Sequence, residues 1–202
     1  MPGPRAATLL DTMLVIELYT LNRMWPDLTD DELFWEPVPG AWGVCRREEC
    51  RTPTPFGDGE WVADFDADLA TAASEGNGIE PMTTIGWLMW HIGSMPGRLT
   101  DLTFFDGTID PATGWTSPYL TAHPVFTSAD EAVDTMRAGW RALDSALRQS
   151  NDELLEQVCM TGWGPMTGAL QVAALLNEVS HHGSQVCVLR DLYRAVTDPS
   201  MS

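Results

Sequence analysis

Between Ser128 and Leu147 the apolar residues fall into one helical register: Val133, Met136, Trp140, Leu143 and Leu147 are separated alternately by three and four positions. That spacing stacks them on a single face and leaves charged residues on the other, so the segment must be an amphipathic helix buried along one side. Ser128 followed by Glu131 is a capping-box signature and marks its start. Three further segments carry the same period. Leu10, Leu14, Leu18 and Leu21 define an expected stripe on a first helix that ends before Trp25-Pro26. A second starts near Thr83 or Thr84, either able to cap it, and turns Ile85, Met89, Ile92 and Leu99 inward. A fourth runs from about Thr167 into the Arg190 to Ala195 region, with Leu175, Val179, His182, Val186, Leu189 and Tyr193 on one stripe. Each such face needs partners, and with no convincing alternating strand pattern the expected architecture is an all-α four-helix bundle.

The connections are uneven. Thr29 and Glu32 predict a short extra helical turn. Roughly sixty residues then separate the first and second long helices, far more than a bundle turn requires. This insertion, approximately 43–81, holds prolines and glycines, but Trp61, Phe56 and Phe65 inside it and Trp35 and Trp42 before it predict that it folds back over one end of the bundle. With 202 residues and 44% hydrophobic content, one domain spanning 1–202 is expected. A net charge of −18 repels phosphate backbones and anionic lipid heads, which argues against nucleic acid and membrane partners. No stretch is long and apolar enough for a membrane span and no signal-peptide pattern opens the chain, so a cytoplasmic location is expected. All eleven basic residues are Arg, the bias of GC-rich coding.

The chemistry concentrates on the last helix. Glu178 and His182 are four residues apart and share a face, as two metal ligands on one helix require, while His181 turns about 100° away. A buried carboxylate needs a positive partner, which a metal, Arg98 or a hydrogen-bond network could supply. His91, in Trp87-Leu88-Met89-Trp90-His91-Ile92, is a third candidate ligand from the second helix. Packed alone, His91 or His182 would read as a core histidine with a satisfied hydrogen bond, and Trp87 and Trp90 as core or wall residues. His123 belongs to a loop, and Asn177 with His181 is a weaker ligand pair. Cys45, Cys50, Cys159 and Cys187 lack paired metal-site spacing and read as reduced, non-catalytic thiols; Cys45 and Cys50 are the pair nearest to a disulfide. No nucleophile elbow, P-loop or dinucleotide fingerprint is present.

Taken together, the Trp87-to-Ile92 segment, the Glu178-xxx-His182-xx-Gln185 segment and the Pro-containing turn Glu36-Pro37-Val38-Pro39-Gly40-Ala41-Trp42 resemble the DinB-like superfamily of four-helix bundles. The resemblance implies that His91, Glu178 and His182 are metal ligands. Many members carry three histidines; Glu178 departs from that pattern and is similar to the His/Glu/His set of the mycothiol-dependent maleylpyruvate isomerases, a zinc-containing actinobacterial branch with which the Arg-only composition agrees. The long insertion is unlike the compact members.

By that resemblance the expected function is a metal-dependent thiol S-transferase acting with a low-molecular-weight thiol such as mycothiol on a small electrophilic substrate, the metal being zinc, with nickel, manganese or iron as alternatives that the same donors accept. Two other readings stand beside it: a metal-dependent hydrolase, and a non-enzymatic DinB-like binding or stress-response protein. A homodimer is the expected assembly by family resemblance.

Overall fold

The computed structural model describes residues 2–79, 81–104, 125–161 and 164–198. In chain order, helix α1 (Pro4–Ile16) passes through a π-turn (Glu17–Leu21) into the closing turn α2 (Asn22–Met24), and α3 (Asp30–Leu33) follows. Strand β1 (Gly43–Arg46), a 3-10 turn (Arg47–Glu49), strand β2 (Trp61–Asp64) and helix α4 (Ala67–Ser74) make up the insertion. Then come α5 (Ile85–Phe104), α6 (Ala129–Gln149), α7 (Asp152–Glu156), the strands β3 (Val158–Thr161) and β4 (Gly164–Thr167), and α8 (Gly168–Thr197). Helix α5 packs against α6 and α8, and α1 packs against the same two, so the long helices close a four-membered ring. Leu21, Ile85, Leu88, Met89, Ile92, Met136, Leu143, Val179 and Val186 fill its centre.

Local chemistry sets the helix starts as expected. Thr84, Ser128 and Thr167 accept hydrogen bonds from Trp87 N, Glu131 N and Leu170 N, satisfying N–H groups that a first turn leaves without partners. On α6, all five residues of the predicted stripe are buried. Leu175, Val179, Val186 and Leu189 are likewise buried on α8, and Tyr193 meets Trp35 edge-to-face. Ile85, Met89 and Ile92 turn inward on α5, whereas the Leu99 side chain lies outside the description.

The first helix uses a different face from the expected one. Leu14 and Leu18 are 54% and 55% exposed, and the buried residues are Ala6, Leu9, Met13, Ile16, Thr20, Leu21 and Met24. This helix is apolar on two sides, so periodicity alone does not choose between them. The π-turn widens one turn and shifts the phase, which carries Leu21 back into the core although Leu18 stays outside. Two short hairpins also depart from the strand-free expectation: β1 pairs antiparallel with β2, and β3 with β4. Four-residue strands are too short to leave an alternating pattern in the sequence.

The insertion is seated on the N-terminal half of α5. Trp42 N–H donates to Met82 O (2.9 Å) and Thr84 N–H to Trp42 O (2.8 Å). Aromatic side chains of the insertion, with Trp42 just before it, then cover the helix: Trp42 lies 5.6 Å from Trp87, Phe65 5.9 Å from Trp87 and 5.6 Å from Trp90, and Phe56 5.4 Å from Trp90. Trp87 and Trp90 are therefore wall residues, buried between the bundle and the insertion. No described helix is long and apolar enough to cross a membrane.

Candidate metal centre

His91 projects from the second turn of α5 and meets Glu178 and His182 from the middle of α8. One ligand atom from each of the three lies within 4.8 Å of the others. His182 Nε2 is 3.1 Å from Glu178 Oε2, His91 Nε2 is 3.9 Å from the same oxygen, and the two imidazole centroids are 5.0 Å apart and nearly perpendicular. The side chains are 19%, 35% and 13% exposed for His91, Glu178 and His182, shielded but reachable. The i, i+4 spacing on α8 supplies two donors, and only the α5–α8 packing supplies the third.

Neighbouring groups hold the rings in place. His182 Nδ1 is 2.7 Å from Gln185 Oε1 and its Nε2 3.1 Å from Glu178 Oε2, so the ring is held between the two side chains. Glu178 itself is held well below the usual carboxylate range, chiefly by its hydrogen bond to His182 and then by that to His91. It is ionised at neutral pH, the state a metal ligand needs. Trp87 stacks on His91 with centroids 4.9 Å apart and an 11° interplanar angle, so the aromatic cluster between the insertion and α5 backs one candidate ligand directly. Two nitrogens and one carboxylate at these separations suit a divalent ion of the zinc, nickel or iron type.

Behind His182, Gly183 lets the first helix approach α8 closely. A Cβ there would stand 2.6 Å from Thr20 Cγ2, in the π-turn, and 3.4 Å from Met24 Sδ. A glycine in the middle of a thirty-residue helix is the kind of sequence signal that marks such an approach, although it was not singled out from sequence.

The sequence matches the DinB superfamily over residues 14–186. The chain belongs to that superfamily. The four long helices among the described residues agree with the all-α DinB-like bundle, and the hairpins and α4 lie between them. Comparison with curated proteins finds no match.

The remaining candidates separate clearly. His181 and Asn177 are exposed, and His181 stacks on His182 at 4.6 Å without joining the cluster. Cys187 is half-buried beside Thr20 O and its thiol is pushed up by burial, as expected for an inert packing residue. His123 lies outside the described residues, and the side chains of Arg98 and Cys159 are likewise outside the description.

Two features were missed from sequence. Arg190, 2% exposed, forms a two-pronged ion pair with Glu32, 4% exposed, at 2.6 and 3.2 Å, and also donates to Met24 O at 2.9 Å. Glu32 was read as a cap partner; Thr29 does cap α3, but the Glu32 carboxylate points inward to α8. Asp64 was not singled out. It is buried beside Cys45 and Cys50 and accepts from Arg51 N and from Thr52 N and Oγ1.

Proposed function

We propose that this DinB superfamily protein is a metal-dependent thiol S-transferase, using a divalent metal, zinc in the first instance, and a low-molecular-weight thiol such as mycothiol. The observation that carries the reading is the convergence of His91, Glu178 and His182, whose ligand atoms lie within 4.8 Å of one another around an ionised carboxylate. A cation satisfies all three donors at once, and three protein ligands leave a fourth tetrahedral position open for a thiol.

When bound, the metal supplies Lewis-acid stabilisation of a thiolate at neutral pH. The chain's own residues set the conditions for that. His91 and His182 contribute neutral nitrogens, so Glu178 provides the one negative protein ligand and the site keeps net positive charge for an anionic thiol. Gln185 holds the His182 ring at Nδ1, and the Trp87 ring packs against the face of His91. The thiol, having given its proton to bulk water, attacks an electrophilic carbon of a small substrate, and the carbon–sulfur bond forms as that carbon's bond to its leaving group breaks. Mycothiol as thiol, a cytoplasmic site of action and a homodimeric assembly belong to this same reading.

Elemental analysis of untagged protein beside a His182→Ala variant tests it first. About one metal ion per chain, lost in the variant, together with thiol-dependent product from an electrophile panel, supports the transferase. Sulfur-free product formed without added thiol assigns the site to hydrolysis instead. Protein that takes up no zinc, and whose melting temperature ignores chelator, is a non-enzymatic bundle.

A further inference from the structure

The insertion carries a second cluster, remote in sequence from the three ligands. Cys45 lies on β1 opposite Val62, and Cys50 follows the 3-10 turn that ends the strand. Both are free thiols, with Sγ atoms 3.0 Å apart. Only about 1 Å of further approach separates this contact from a disulfide bond length.

The surrounding hairpin holds the two sulfurs at that separation. Arg47 N–H donates to Glu60 O (2.8 Å), Arg47 Nε to Gly59 O (3.1 Å), and Cys50 N–H back to Arg47 O (3.4 Å). Just beyond Cys50, Arg51 N and Thr52 N are each tied at 2.9 Å to the buried Asp64 carboxylate on β2. Both ends of the Cys45–Cys50 loop are therefore anchored to the same opposing strand. A concave surface of about 230 Å³, lined by Phe34, Glu36, Cys45, Arg51 and Asp64 among others, opens on the Cys45 side of the pair, and Cys50 is itself only partly buried.

We propose that Cys45 and Cys50 are a redox-active dithiol, oxidised to an intramolecular disulfide by low-molecular-weight disulfides. The exchange balances in two steps. Cys50, whose thiol donates to Arg46 O on the exposed side, gives up its proton, attacks one sulfur of the reagent and expels one thiolate, which takes up a proton, leaving a mixed disulfide. Cys45 then attacks Cys50 Sγ, gives up its proton and expels the second thiol. Two protein thiols are oxidised and one small disulfide is reduced to two thiols. Burial pushes the Cys45 thiol up, which suits the resolving position better than the attacking one.

A metal held by Cys45, Cys50 and Asp64 is the competing occupant, and the geometry disfavours it. Two sulfurs on one tetrahedral zinc lie about 3.8 Å apart. Here they are closer, and both Asp64 oxygens already accept hydrogen bonds from Arg51 and Thr52. The proposal rests on the hairpin alone and stands or falls separately from the centre at His91.

The test is incubation of the full chain with oxidised glutathione, followed by intact mass, thiol count and tryptic mapping. Trypsin cuts after Arg46 and Arg47, so a disulfide joins two otherwise separate peptides. The expected result is loss of two hydrogens and two thiols, the joined peptide pair, and a melting temperature raised by about 4–8 °C, reversed by dithiothreitol. Cys45→Ser should stop at one bound glutathione on Cys50. Four thiols surviving an excess of reagent, or a glutathione adduct persisting on Cys50 of the parent protein, overturns the proposal. So does a zinc ion lost in Cys45→Ser but retained in His182→Ala, which would make the cluster a metal site.

Discussion

Replacing Arg190 with Met removes a guanidinium that serves two purposes at once. It neutralises Glu32, a carboxylate only 4% exposed, and it donates to the Met24 carbonyl at the end of the first helix. Methionine keeps most of the volume, so packing loss is small and the effect is electrostatic. Breaking a buried pair from one side leaves an uncompensated charge and costs about 3–5 kcal/mol. For a chain of this size each kcal/mol lowers the melting temperature by about 2–4 °C, so the fall should be roughly 6–20 °C. The removal should be measured by urea unfolding of chelator-treated protein, so that metal linkage does not enter. Glu32→Leu in the same background removes the stranded charge, and the double variant should recover more than half of the loss. A single variant that loses less than about 1 kcal/mol, or a double variant whose losses simply add, would refute the reasoning.

Three further outcomes follow from particular contacts. Gln185→Ala removes the partner that holds the His182 ring at Nδ1 and should weaken zinc affinity by about tenfold, read by competition with a chromogenic chelator, while leaving the melting temperature of the metal-free protein unchanged. Gly183→Ala forces a methyl to within 2.6 Å of Thr20 Cγ2 and should cost about 1–3 kcal/mol; pairing it with Thr20→Ser, which lacks that methyl, should restore stability, and no rescue would show that the crowding lies elsewhere. Burial by itself would raise the Asp64 carboxyl, but hydrogen bonds from Arg51 and Thr52 and the Arg51 charge outweigh it and hold it below the ordinary range. A group depressed in the folded state contributes stability that is complete above its unfolded pKa of about 3.9 and is lost as pH falls through the lower folded value. Acid titration of Asp64→Asn should therefore show a shallower loss of stability below about pH 4 than the parent protein, and parallel curves would contradict the assignment.

What local sequence decides in this protein is whatever repeats within a few turns. The three- and four-residue spacing of α6, the caps at Thr84, Ser128 and Thr167, and the shared face of Glu178 and His182 are all properties of neighbouring residues. They were legible because a helix converts spacing directly into direction. His91 entered from sequence as a candidate, but its place beside residues eighty-seven and ninety-one positions later depends on how α5 packs against α8. The first helix shows the limit most plainly. With apolar residues on two sides, its buried face was decided by Gly183 admitting Thr20 and by the π-turn that shifts the phase. Likewise, Glu32 meeting Arg190 and Cys45 meeting Cys50 over Asp64 are not periodic features of any segment. A buried charge finds its partner only when the elements carrying both have been brought together, because low-dielectric surroundings make any other arrangement costly.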